Sequence, residues 1–373
     1  MLKKLSYLCV MLGFALGGST LAQEESEEVL RAKIMQAWKT REAKVKSAKI
    51  EWKEFHWKAK GSTVDVGSRE YEDPDNFYHK QIIPPREIEY TSEAELVMEG
   101  NSVRHQHVPQ TWIANGNALK KTPELRVWTK DHSKHLYANG GSGRDEPQGG
   151  IAKSGSVFGL HTPNIRPLLS SMRPASKPFV AYDLDKMIAA PKADKIRGRP
   201  CIQFYLTEQV HQGTYRLSLW YDKERDYCLV REIESINGTI VSQMDVDYEM
   251  NQTVGWFPAR WSWSRRINLK GAIDWTFRAE GVRAEFNQTL SPALFDIQFP
   301  NGTDVIDNVS NTMYTVRPTG QEVFYSRSSP LTAGSSRSIF QAVYVWVVAL
   351  LVGIPLVLLF GRWVYLRFRK PTT

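Results

Sequence analysis

The sequence predicts an α+β protein: a curved antiparallel sheet with an amphipathic helix laid on it, and a C-terminal transmembrane helix. Three observations predict this. Short runs rich in branched and aromatic residues recur through the body, separated by turn residues such as Glu99-Gly100-Asn101. Residues 26–45 instead repeat apolar side chains at helical spacing. Residues 342–360 carry no charge, a length close to what a helix needs to cross a bilayer.

The elements follow in chain order. MLKK, an apolar run to Gly18 and small residues at Thr20 and Ala22 predict a secretory signal over residues 1–22. Cys9 lacks the small residues that a lipid-attachment site places before its cysteine. In EESEEVLRAKIMQAWKTREAKVKSAK, the residues Val29, Leu30, Ile34, Met35, Trp38 and Val45 form one stripe behind an acidic first turn. That pattern is an amphipathic helix suited to its own dipole, and it must lie on a sheet. AKIEWKEFHW, AELVME, SVRHQHV, LRVWTK and HLYA read as strands. A long excursion over 60–86 and a polar loop with seven glycines over 139–159 interrupt them. TPNIRPLLSSM and AYDLDKMIAA suggest short helices. From Ala193 to Phe299 strands return, joined by connections too short for a crossover helix and therefore antiparallel.

The richest aromatic segment lies in that meander. In GWFPARWSWSRR, Phe257, Ala259, Trp261 and Trp263 alternate with Arg260, Ser262 and Ser264. The chain returns through Trp275, Phe277 and Ala279, and after Gly281 the apolar phase shifts by one to Val282, Ala284 and Phe286. Such a shift marks a bulge that bends the strand. An aromatic concave face results, and each ring brings on the order of 150–250 Å² that needs cover. The cover is either the chain's own helices or an acyl chain in an incompletely filled hollow. Under the second reading Phe257, Trp261, Trp263, Trp275, Phe277 and Phe286 line a ligand cavity. Arg265 breaks the apolar row; it sits at the sheet rim or pairs with the polar head of an amphiphile.

Charge and chemistry narrow the function. The net charge is +8, from 48 basic and 40 acidic side chains. Lys3, Lys4, Arg362, Arg367, Arg369 and Lys370 account for most of that excess, so the body is nearly neutral and has no footprint for a nucleic acid. Cys201 and Cys228 fall on the two strands that flank a third, too far apart for a disulfide. His105-Gln106-His107 puts two imidazoles on one strand face, without a third metal ligand at a recognisable spacing. No H-E-x-x-H, G-x-S-x-G or phosphate loop is present. The expectation is a protein with no metal, cofactor or enzymatic activity.

The C-terminus completes the plan: an exported domain over 23–325, a flexible Ser/Gly-rich linker over 326–338, a spanning helix over 339–361 and a tail over 362–373. Arg362, Arg367, Arg369 and Lys370 follow the span and Arg337 alone precedes it, so the tail is cytoplasmic. This predicts a single-pass type I protein of the inner membrane, its body in the periplasm or exterior.

RLSLWYDKERDYCLVREI, DVDYEMNQTVGWFPARWSW and FDIQFPNGTDVID resemble the bacterial lipoprotein-sorting superfamily, the LolA and LolB carriers and the related RseB sensor domain. The resemblance covers residues 29 to 310. It implies an unclosed half-barrel with helices across its concave face and an apolar cavity for a lipid, an acyl chain or a lipoprotein. Anchoring at one end departs from the pattern of a soluble carrier. The alternative is a protein-interaction or sensor module with a filled core, whose ligand is a protein partner.

Overall fold

The computed structural model describes residues 26–60, 86–113, 118–138, 146–153, 162–176, 179, 182–190, 194–210, 212–266 and 273–326. Helix α1 (Glu27–Ala43) precedes β1 (Ser47–Lys58), β2 (Ile88–Glu99) and β3 (Ser102–His107). A separate hairpin, β4 (Gln110–Ile113) and β5 (Ala118–Lys121), is followed by β6 (Glu124–Trp128), β7 (His132–Tyr137) and β8 (Gln148–Lys153). Helix α2 (Arg166–Met172) leads to the short strands β9 (Ile188–Ala189) and β10 (Asp194–Ile196). Next come β11 (Arg199–Val210), β12 (Gly213–Asp222), β13 (Cys228–Ile236), β14 (Thr239–Asn251), β15 (Gly255–Arg265) and β16 (Trp275–Phe286). The last strands are β17 (Asp304–Asp307), β18 (Thr312–Arg317) and β19 (Gly320–Ser326).

Pairing joins these into one wide sheet. β9 and β10 sit on β11, and the antiparallel meander runs from β11 to β16. Strand β1 then bridges β16 and β2, and the order continues β3, β6, β7, β8. The N-terminal strand is thus the seam between two meanders. Beyond β8 lie β17, β18 and β19.

Two expectations are corrected here. The sheet is large, unclosed and mixed, because β17 runs parallel to β8. The chain from 287 to 303 crosses the face opposite the helices, where Phe295 and Ile297 pack with Val97 and Val127, and it delivers β17 in the direction of β8. The expected transmembrane helix, and with it the single-pass inner-membrane arrangement, has no support: among the described residues no helix is long and apolar enough to cross a membrane. α1 is the longest, and only Leu30, Ile34, Trp38 and Arg41 of it are buried. The signal over 1–22, the span over 339–361 and the tail over 362–373 lie outside the described residues, as does all of the linker beyond Ser326, the last residue of β19.

A third difference concerns the glycine-rich stretch, which holds strand β8. A Cβ on Gly149 would stand 2.5 Å from the Phe299 ring, and one on Gly150 2.2 Å from His135. Glycine is what lets those rings lie against the strand.

The bulge after Gly281 is present. Glu51 pairs with Arg283 and Lys53 with Glu280, so Gly281 and Val282 together face Trp52, and Gly281 has a φ of 65°. On one face of the sheet the side chains of α1, α2, β1, β2 and β11–β16 merge into one core that includes Ile34, Leu168, Leu169, Trp261 and Phe277.

Cys201 and Cys228 each register with Asp222 on the strand between them, and both are buried and unpaired. Burial pushes the Cys228 thiol up to about 12 and raises that of Cys201. Neither thiol should therefore react with Ellman's reagent at about pH 8 until the chain is unfolded, when both should. Rapid native labelling of either would contradict the burial.

Candidate functional site

Six of the seven residues expected to line a cavity, all but Arg265, make ring contacts with other aromatic side chains. Trp261 and Phe277 are 2% and 1% exposed, Phe257 and Trp263 are buried, and Trp275, Phe286 and Arg265 are half-buried. Trp261 lies 5.7 Å from Trp52 and 6.4 Å from Phe277 between ring centroids. Trp263 meets Trp275 edge-on at 5.1 Å, as Phe257 meets Phe286. The Trp261 indole donates to the Pro163 carbonyl at 3.1 Å, and the Trp263 indole to Ser242 Oγ at 2.9 Å. Beneath α1 and α2, between Trp38, Ser170, Phe179 and Tyr221, lies a space of about 20 Å³.

Arg265 belongs to a different neighbourhood. Burial and the adjacent Glu232 raise the Glu234 carboxyl, against the pull of Arg166 and Arg265. Arg166 forms an ion pair with the buried Glu232 and donates to Tyr182 OH at 2.7 Å. This network pins the start of α2 to β13.

A wider groove, about 620 Å³, opens on the opposite face at the β1 bulge. Its rim is charged, with Glu51, Lys53, Glu93, Glu95 and Arg283.

The chemistry gathers elsewhere, on the inner face of β1, β2, β3 and β6. Glu54 of β1 is fully buried. Its Oε1 accepts from Trp52 Nε1 at 3.1 Å and Asn164 Nδ2 at 3.0 Å, and its Oε2 from Ser92 Oγ at 2.9 Å and His56 Nε2 at 3.0 Å. His107 of β3 places Nδ1 3.8 Å from the same Oε2, an ion-pair distance, and its Nε2 lies 2.8 Å from Glu124 Oε2. Arg126 pairs with Glu124 through Nε and donates to Tyr137 OH at 3.3 Å. His105 is buried, its ring stacked on Trp52 at 5.9 Å and on His107 at 4.7 Å.

Burial alone would raise Glu54, yet His107 and His56 hold it well below the usual carboxylate range. Burial likewise opposes the charge on His107, but Glu124 and Glu54 outweigh it and lift the imidazole to about 9. Against burial, His107 and Arg126 hold Glu124 at about 2. For His105 burial wins, helped by His107, and the imidazole falls to about 3. The cluster thus holds an anionic Glu54 and Glu124, a cationic His107 and a neutral His105.

The His105 and His107 pair is visible in the sequence, but its carboxylate partner is not adjacent. A signal for Glu54 did exist: the alternation of AKIEWKEFHW puts it in phase with Ile50, Trp52 and His56, all buried.

No family model matches the chain, and no curated protein matches it. Solved structures with similarity include a DUF1329 family protein from Desulfovibrio piger, 10% identical, with TM-score 0.40 over 71% of this chain and 96% of that one. LprF from Mycobacterium bovis is 11% identical, with TM-score 0.22 over 68% of this chain and 92% of that one. Both superpositions are too loose to specify a function.

The pH dependence of stability follows with its sign. His107 is raised above its ordinary 6.5, so its contribution is complete below about 6.5 and is lost as pH rises through about 9. His105 is depressed, so stability also falls as pH drops from 6.5 toward about 3, and Glu124 adds to the loss as pH falls through about 2. Thermal unfolding of the chelator-treated chain should be most resistant near neutral or slightly acidic pH and weaken toward pH 9. His107→Gln should flatten that alkaline decline; an unaltered slope would contradict the charge assignment.

Proposed function

We propose that the chain is a non-catalytic binding module with a filled interior that engages a protein partner at its exterior. The observation that carries this reading is the packing of the inner face. Pockets for small-molecule ligands run to roughly 300–1,000 Å³. The space beneath α1 and α2 is about 20 Å³, room for about one water and far below that range. An acyl chain, the occupant that the family resemblance implies, would have to displace α2, whose Leu168 and Leu169 are 0% and 1% exposed.

The exterior supports a protein partner in two ways. The charged groove at the β1 bulge is of ligand size, and its mixed rim of carboxylates and cations suits a polar surface rather than a hydrocarbon. Strand β19 pairs only with β18 among the described residues, and Val323 and Phe324 on it are 52% and 54% exposed. An edge strand of that kind accepts an added strand from another chain.

Native mass spectrometry of the purified chain, with solvent extraction of the same sample, tests the reading. The mass of the polypeptide alone and an extract free of stoichiometric lipid are expected. An amphiphile bound at one per chain would overturn the filled-interior reading in favour of lipid carriage.

A further inference from the structure

We propose that Glu54, His105 and His107 form a binding site for a divalent transition metal of the zinc class. The three come from strands on either side of β2, separated by about twice the ~4.8 Å strand spacing. Their side chains meet because β2 carries small residues where they cross it: Glu54 registers with Ser92, and His107 with Ala94. One donor atom from each of the three lies within 4.8 Å of the others. Metal–ligand distances of about 2.0–2.2 Å ask these atoms to close by roughly an ångström and a half at the widest pair.

Two observations point to a ligand that the protein itself does not supply. His105 Nε2 and His107 Nδ1 are buried and have no hydrogen-bond partner among the described residues. Unpartnered buried polar atoms are uncommon in folded proteins and costly, and here both are metal-ligating nitrogens facing one carboxylate. The surrounding groups also hold the donors in the manner of a metal site. His107 uses its other nitrogen on Glu124, which Arg126 grips in turn; a carboxylate behind a ligating imidazole fixes its tautomer and raises its basicity. Trp52 does two jobs, stacking on His105 and donating its indole N–H to Glu54.

Two imidazoles and a carboxylate suit Zn²⁺ and its neighbours and leave one position of a tetrahedron open. His56 sits beside Glu54 with an unpartnered Nδ1 of its own. The site is independent of whether the module's interior is filled or its partner a protein.

Cobalt titration of the untagged, chelator-stripped full chain tests the site, since Co²⁺ reports its coordination in visible light. The expected result is saturation at one ion per chain, ligand-field bands of a four- or five-coordinate site, no thiolate charge transfer and displacement by Zn²⁺. His105→Ala and Glu54→Gln should each weaken binding by about 10- to 100-fold or more, whereas a Cys201→Ser, Cys228→Ser double variant should bind as the parent does. Because either site variant could misfold, X-ray absorption of the zinc-loaded parent provides a second readout: a shell of nitrogen and oxygen with imidazole scattering is expected. Absence of saturable binding, sulfur in the shell, or a folded His105→Ala chain that binds unchanged would overturn the proposal.

Discussion

The constraint on which the fold depends is the exclusion of water from the rings along the inner face of the sheet. Trp261 stands at its centre. It meets Phe277 on the next strand and Trp52 on the seam strand beyond that, and its indole N–H reaches the Pro163 carbonyl at the entry to α2. Burying so much aromatic area is the main favourable contribution available to a single sheet. It also dictates where the helices go. α2 has seven residues, too few to persist alone in water, and it exists because Leu168, Leu169 and Met172 complete the apolar layer.

Charge enters this layer at two places, and each fixes the position of something. Arg166 and Glu232 tie the start of α2 to β13. Removing one partner of such a buried pair costs about 3–5 kcal/mol, whereas the intact pair adds little net stability. Glu54 and its donors do the same for the seam: Trp52 and His56 on its own strand, Ser92 on β2 and Asn164 from the segment before α2 all converge on one carboxylate. The β1 seam and the helical cover are therefore joined by polar contacts as well as by rings. The same convergence leaves the imidazoles of His105 and His107 facing an anion.

How much of this was legible in the sequence depends on the range of the interaction. Period-two alternation placed Trp261, Trp263 and Phe277 on one face, and the phase shift after Gly281 marked the bulge opposite Trp52, because both are local consequences of backbone geometry. Val29 fell in the apolar stripe of α1 but is 45% exposed; that helix turns only part of its apolar side to the core. Strand β8 was hidden because glycine is depleted in strands, and only the rings of Phe299 and His135, distant in sequence, explain its use there. The parallel pairing of β8 with β17 is equally non-local. Hydropathy read a membrane span into residues 339–361, whereas the described helices are an amphipathic α1 and a short α2. In the candidate site, His105 and His107 announce themselves by spacing, but Glu54 joins them only through the register of β1, β2 and β3 and the small side chains of β2.

The claim that the interior is packed solid by the chain itself can be tested at Ala279. This residue is 0% exposed and pairs on one side with Glu54 and on the other with Trp261. Ala279→Leu adds three carbon atoms where the structure has no room for them, and urea unfolding should show a loss of about 1–3 kcal/mol. A variant as stable as the parent, or more stable, would mean that empty space lies over the aromatic face, and would contradict the account.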